Sequence, residues 1–189
     1  NSTATARKWT TLQADAASVS FVGLGDSIKL QATGISVGVN QADGAATTVV
    51  DYGLSDPANT SSARNTVMSI PTGTSSTMAL TIDGAKGEMK RASGHLVLDV
   101  YGFFQVEGDL AIESSSAAVK LAKQTGQATG EAVNVDLLSV GGSNLSAFAG
   151  LNGGTASQLG LSMTGVNFGL ALMTEQLAPN STATARKWT

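Results

Sequence analysis

The sequence has no cysteine, one histidine and three prolines, and only 13% of its 189 residues are charged. Absence of cysteine excludes a disulfide framework and thiolate zinc sites. With His95 as the lone imidazole, most transition-metal chemistry goes too. Compartment stays open, because oxidising surroundings permit disulfides without compelling them. Positive charge is equally sparse: eleven Lys and Arg are scattered through a chain of pI about 5.0. No basic stripe exists to release phosphate counterions, so nucleic acid is not an expected partner. No apolar run reaches the roughly 18 residues of a spanning helix, and no membrane insertion of this segment is expected. Aromatics make up only 5% of residues. Disorder is excluded from the other side, since a 42% apolar fraction accompanies a net charge of only −3.

What the sequence does contain is a long exact repeat. Residues 1–10 read Asn-Ser-Thr-Ala-Thr-Ala-Arg-Lys-Trp-Thr, and residues 180–189 read the same. Ten identical residues do not recur by chance, so the period is 179 and the chain reads as one link of a tandem array. Residues 1–179 form one complete repeat and 180–189 begin the next. The Arg-Lys-Trp of the duplicated segment, Trp9 at its first copy and Arg186, Lys187 and Trp188 at its second, recurs at both ends, and together with the adjacent Leu12 these residues are the candidate inter-repeat junction. A weaker internal echo links Leu30-Gln-Ala-Thr-Gly34-Ile-Ser-Val-Gly-Val39 to Leu161-Ser-Met-Thr-Gly165-Val-Asn-Phe-Gly-Leu170, with a fainter copy around Gly94. It suggests three β submodules at about 12–70, 71–125 and 126–179.

Hydrophobicity alternates with period two. Leu96, Leu98, Val100, Phe104, Val106, Leu110 and Ile112 share one parity, with His95, Asp99, Gln105, Glu107, Asp109 and Glu113 on the other. A two-residue hairpin turn would flip that parity, so the stretch is expected to be one extended strand bent at its glycines. Its 17 residues would span roughly 56 Å. Similar alternation marks Ile35 to Val39, Met78 to Ile82, Val133 to Leu137, Leu159 to Met163 and Val166 to Leu172. Residues 116–124 read as strand, and Leu54 to Ser62 as a surface loop. The expected fold is all-β: an elongated many-stranded repeat module of β-solenoid or wide-sheet type, with a β-sandwich as the alternative.

Chemical motifs are weak. Gly25-Asp26-Ser27-Ile28 is close to the Gly-Asp-Ser-Leu string of an esterase family, but the serine needs a neighbouring base. That family takes it from an Asp-x-x-His pair near the C-terminus. Here His95 lies mid-chain with Ala92 in the aspartate position, so the string reads as a turn and His95 as a solvated surface residue. No catalytic residue is expected. Gly-Gly-x-Gly-x-Asp calcium repeats and Asp-x-Asp-x-Asp-Gly loops are absent, as are phosphate-binding glycine motifs. No cofactor is therefore expected; calcium is the one candidate left open, through dispersed carboxylates such as Asp43 and Asp83. Glycan acceptor triplets stand at Asn59, Asn144 and Asn180.

Several stretches carry a family resemblance: Trp9-Thr-Thr-Leu-Gln-Ala14, Val19-Ser-Phe-Val-Gly-Leu24, Arg91-Ala-Ser-Gly94, Glu107-Gly-Asp-Leu-Ala-Ile-Glu113 and Gly165-Val-Asn-Phe-Gly-Leu-Ala-Leu-Met173. Through them the chain resembles the long tandem repeats of giant bacterial extracellular surface proteins of the adhesin-like kind. The resemblance implies an extracellular or cell-surface location and a structural role. Some such repeats carry an Asp-rich insertion after the Ala-Phe-x-Gly segment, where this sequence has Leu151-Asn-Gly-Gly-Thr-Ala156. The expected function is a filament or stalk repeat whose partners are neighbouring copies of itself. A repetitive adhesin for glycans or surface polymers is the alternative.

Overall fold

The computed structural model describes residues 5–20, 28–54, 64–126, 128–178 and 181–189. They build a wide antiparallel sheet from β1 (Arg7–Ser20), β2 (Ile28–Gly44), β5 (Met89–Val100), β6 (Phe104–Lys120), β7 (Ala132–Leu151), β8 (Leu159–Glu175) and the short β9 (Lys187–Trp188). Spatial order follows chain order, from β1 at one edge to β9 at the other. Between β2 and β5 the chain leaves the sheet and forms a small hairpin of β3 (Ser69–Pro71) and β4 (Thr77–Ala79), then a single 3-10 turn at Gly84–Lys86. The chain is thus all-β, and strands from all three ranges suggested by the internal echo join one sheet.

The expected continuous strand through residues 96–112 is instead a hairpin, with Val100 opposite Phe104 and Leu96 opposite Gly108. Its connection has three residues, and Tyr101 and Gly102 both take left-handed conformations, with φ of 54° and 64°. The Phe103 amide closes the turn by donating to the Val100 carbonyl at 2.9 Å. A three-residue connection pairs i with i+4, which preserves parity where a two-residue turn would reverse it. Unbroken alternation was therefore compatible with a fold-back.

Cross-strand partners lie on one face, so the registers define two unlike faces. One is apolar from edge to edge: Leu12 faces Val39, Leu98 faces Leu30 and Val106, Ile112 faces Val140, and Val140 faces Leu170. On β8 the apolar run Leu159, Leu161 and Met163 is odd-numbered and the run Val166, Phe168, Leu170 and Leu172 even-numbered, with Gly165 between them at φ 66°. That glycine is a bulge that inserts one residue and keeps these two apolar runs on the same face. Gly34 at φ 57° does this for β2, between Ala32 and Ile35, and Asn144 at φ 56° for β7. The echo between residues 30–39 and 161–170 is thus a shared bulge signature.

The other face is partly covered by the excursion 45–88. Tyr52, Leu80, Ile82 and Met89 form a buried cluster with Val50 packed against it. Gly38 lies beneath it, where a Cβ would be in ordinary van der Waals contact, 3.6 Å, with both Ile82 and Met89. Polar side chains of β1 and β2 dock the excursion to the sheet. Wholly buried Asn40 donates to the Val50 carbonyl at 2.8 Å and accepts from the Thr11 hydroxyl at 3.1 Å. Gln13 accepts from the Thr81 amide at 2.9 Å. Asp51 organises the loop by accepting from the amides of Gly53 and Gly84 at 2.8 and 2.7 Å and from the Asn65 side chain. Burial pushes its pKa up, but these donors outweigh burial, and it lies below the ordinary 3.8.

Accessible surface totals 12905 Å², against roughly 8,400 Å² for a compact 19.0 kDa monomer. The excess reflects a largely single-layered sheet. Residues 25–27 of the esterase-like string, most of the loop expected at 54–62, Asn59 and Asn180 lie outside the described residues. Asn144 occupies the β7 bulge, its amide held by the Asn167 side chain at 2.9 Å.

Candidate inter-repeat junction

The five junction residues divide between the two edges of the sheet. Trp9 and Leu12 lie on β1, about half exposed, and the Trp9 indole N–H donates to the Thr48 carbonyl at 2.8 Å. Arg186, Lys187 and Trp188 lie at the opposite edge, where Lys187 pairs with Thr174 and Trp188 with Met173 of β8. The identical segments take the same local form at both places. Each is a strand start in which the guanidinium lies over the tryptophan two residues on, Arg7 over Trp9 at 5.5 Å and Arg186 over Trp188 at 5.6 Å. In each stack the cation is attracted to the negative face of the indole ring.

At the β9 edge the arginine has further partners. Arg186 forks onto Glu175, with Nε at 2.9 Å and Nη2 at 2.7 Å from its two oxygens. It also forks onto Glu131, with Nη1 at 3.0 Å and Nη2 at 2.9 Å. Two bidentate pairs on one guanidinium fix its plane as well as its position. The Glu175 amide donates to the Arg186 carbonyl at 2.8 Å, and the Arg186 amide donates to the Glu175 carboxylate at 3.2 Å. Side-chain and then backbone bonds from Arg186 hold the Glu175 carboxyl at about 2, and Glu131 is lowered chiefly by its bonds to the same guanidinium. Neither glutamate was visible as a junction residue in the sequence. Glu175 is 11 residues from Arg186 and Glu131 is 55, and the only hint was a recurring Arg-Lys pair in a chain poor in charge.

A carboxylate whose folded pKa is depressed contributes stability above its unfolded value, lost as pH falls through the folded one. The clamp is therefore expected to hold at neutral pH and to weaken as pH falls from 4.5 toward 2. A carboxyl-carbon NMR titration should give Glu175 a midpoint near 2. Arg186→Gln should return it toward 4.5; an ordinary midpoint in the unsubstituted chain would contradict the clamp.

His95 is at the surface, but it bridges two carboxylates. Its Nδ1 is 2.9 Å from Asp109 and its Nε2 3.3 Å from Glu107. The hydrogen bond to Asp109, then that to Glu107, raises its pKa above the ordinary 6.5. It borders an open groove of about 590 Å³ that follows the bulges and includes Gly34, Asp109, Gly142 and Phe168. Among the described residues no three His, Asp or Glu gather as a metal-ligand set. Asp43 and Asp83 act as local acceptors, for the amides of Gly44 and Ala85. No described helix is long and apolar enough to cross a membrane. Comparison with protein-family models, with curated proteins and with solved structures returned no match.

Proposed function

We propose that the chain is a structural repeat of a giant bacterial secreted or cell-surface filament or stalk, in which identical copies join edge to edge into one extended sheet. The observation that carries this reading is the placement of the duplicated segment. One copy opens β1 at one edge, and the other forms β9 at the opposite edge with the same Arg-over-Trp stack. The function is then mechanical and spatial, with no reaction assigned, and repetition supplies length. An edge strand as long as β8 is an aggregation hazard when bare, and an array gives it a regular neighbour.

Each copy would add six strands to the sheet, so length should grow by roughly 29 Å per copy at about 4.8 Å per strand. Small-angle scattering from proteins of one, two and four consecutive copies tests this. The maximum dimension should rise linearly, and a compact particle whose dimension levels off would overturn the filament reading. The adhesin alternative draws on Tyr101 and Phe103, which are 62% and 54% exposed at the β5–β6 turn. Glycan capture by one copy on an array, lost in Tyr101→Ala, would favour it instead.

A further inference from the structure

We infer that the seam is a full-length antiparallel ladder of fixed register, in which residue n of β8 pairs with residue 182−n of β1 in the following copy. The inference rests on the filament reading and adds its partner and register. Its starting point is the pairing of Met173 with Trp188 and Thr174 with Lys187. Trp188 and Lys187 are the repeat equivalents of Trp9 and Lys8, so those two pairs already set the register. Extended along β8, it places Leu12 of the following copy opposite Leu170, Ala14 opposite Phe168, Ala16 opposite Val166 and Val19 opposite Met163.

Two features of the strands, independent of those pairs, agree with this register. First, apolar residues meet apolar residues on that face from Leu12 to Val19 of β1, the exception being Thr10 opposite Leu172. Leu170, Phe168, Val166 and Met163 are each more than a third exposed at the edge where β1 would lie. A slip of one residue would put Leu12, Ala14 and Ala16 opposite Gly169, Asn167 and Gly165 and turn the strand's apolar set to the wrong face. Second, the bulges fall in phase. The apolar parity of β1 changes between Ala16 and Val19, and Ala17 between them lies level with the bulge at Gly34 in β2, where the β1–β2 register passes without a shift. In the inferred seam the same Ala17 falls opposite Gly165, the left-handed bulge of β8. Both flanks of β1 would then meet a bulged strand at one level, and the register would run unbroken through both. The clamp repeats as well: Glu131 and Glu175 of the preceding copy would hold Arg7 as they hold Arg186 here.

The hydrogen-bond phase selects a cross-link. The Glu175 amide bonds the Arg186 carbonyl, so odd-numbered β8 residues direct their amides to the seam, and Leu170 falls in a non-hydrogen-bonded pair. Such pairs have Cα atoms about 4.5 Å apart, within disulfide reach. The chain has no cysteine, so an introduced pair is unambiguous. In a protein of two consecutive copies, Leu170→Cys in the first and Leu12→Cys in the second should oxidise to an intramolecular disulfide in most molecules. Leu170→Cys with Ala14→Cys, two residues off register, should not. Preferential bridging of the off-register pair would overturn the inference. In the unsubstituted two-copy protein, hydrogen exchange at the Gly169 and Ala171 amides of the first copy should slow by orders of magnitude relative to the second copy, whose β8 has no successor. Equal exchange in both copies would also overturn it, even if scattering still showed linear growth. A compact two-copy particle would instead remove the filament reading.

Discussion

Tyr52→Ala is expected to lower stability by about 3–5 kcal/mol, the range for emptying a buried aromatic site. Tyr52 is 3% exposed and central to the cluster of Leu80, Ile82 and Met89 that fixes the excursion to the sheet. Its amide donates to the Ile82 carbonyl at 3.0 Å, and its carbonyl accepts from Arg64 at 3.1 Å. Its hydroxyl lies 3.2 Å from that of Thr11, beside buried Asn40. The loss therefore combines a cavity with a weakened polar contact between excursion and β1. Tyr52→Phe removes only the hydroxyl and should cost about 1 kcal/mol. Guanidinium denaturation of both variants measures the difference. A cost below 1 kcal/mol for the alanine variant would mean that the excursion is not anchored by this cluster.

Gly34→Val combined with Gly165→Val should destabilise by roughly 2–6 kcal/mol, from about 1–3 kcal/mol for each β-branched residue forced into a left-handed conformation. The two glycines lie on β2 and β8 with three strands between them, far enough apart for the costs to add. Space is not the issue, because a Cβ at either position meets nothing within 4 Å. The cost comes from φ alone, and escape from it would remove a bulge and turn half a strand's apolar residues to the polar face. Asparagine should be tolerated far better, since Asn144 already takes φ 56° at the bulge of β7. Urea denaturation of the valine and asparagine pairs is the comparison, and equal stability of the two would show that the bulges do not need a left-handed residue.

Much of the fold was legible because its signal is local. Leu159, Leu161 and Met163 alternate, then Val166, Phe168 and Leu170 alternate on the other parity. The glycine between them marks where the strand needs an extra residue. What alternation left undecided was where the chain folds back. The three-residue connection at Tyr101–Phe103 preserves parity, so nothing in the pattern separated one long strand from two paired ones. Local composition gave equally little sign that Asn40 would be wholly buried. Its burial depends on Val50 and Thr11 arriving from elsewhere in the chain to satisfy its amide.

The candidate junction divides along the same line. The recurrence of Arg-Lys-Trp is a property of the sequence, and so is the inference that these residues meet a neighbour. That Glu131 and Glu175 receive the arginine follows only from the order of strands, which brings the end of β8 and the chain just before β7 to one edge. By itself, then, the sequence determined the β class, the two-faced strands and the duplicated end segment, because side-chain alternation and covalent identity need no distant partner. Tertiary structure alone decided the hairpin, the face that the excursion covers, the two carboxylates of the clamp and the register at the edge. Each of these depends on which residues, far apart along the chain, come within a hydrogen bond's length.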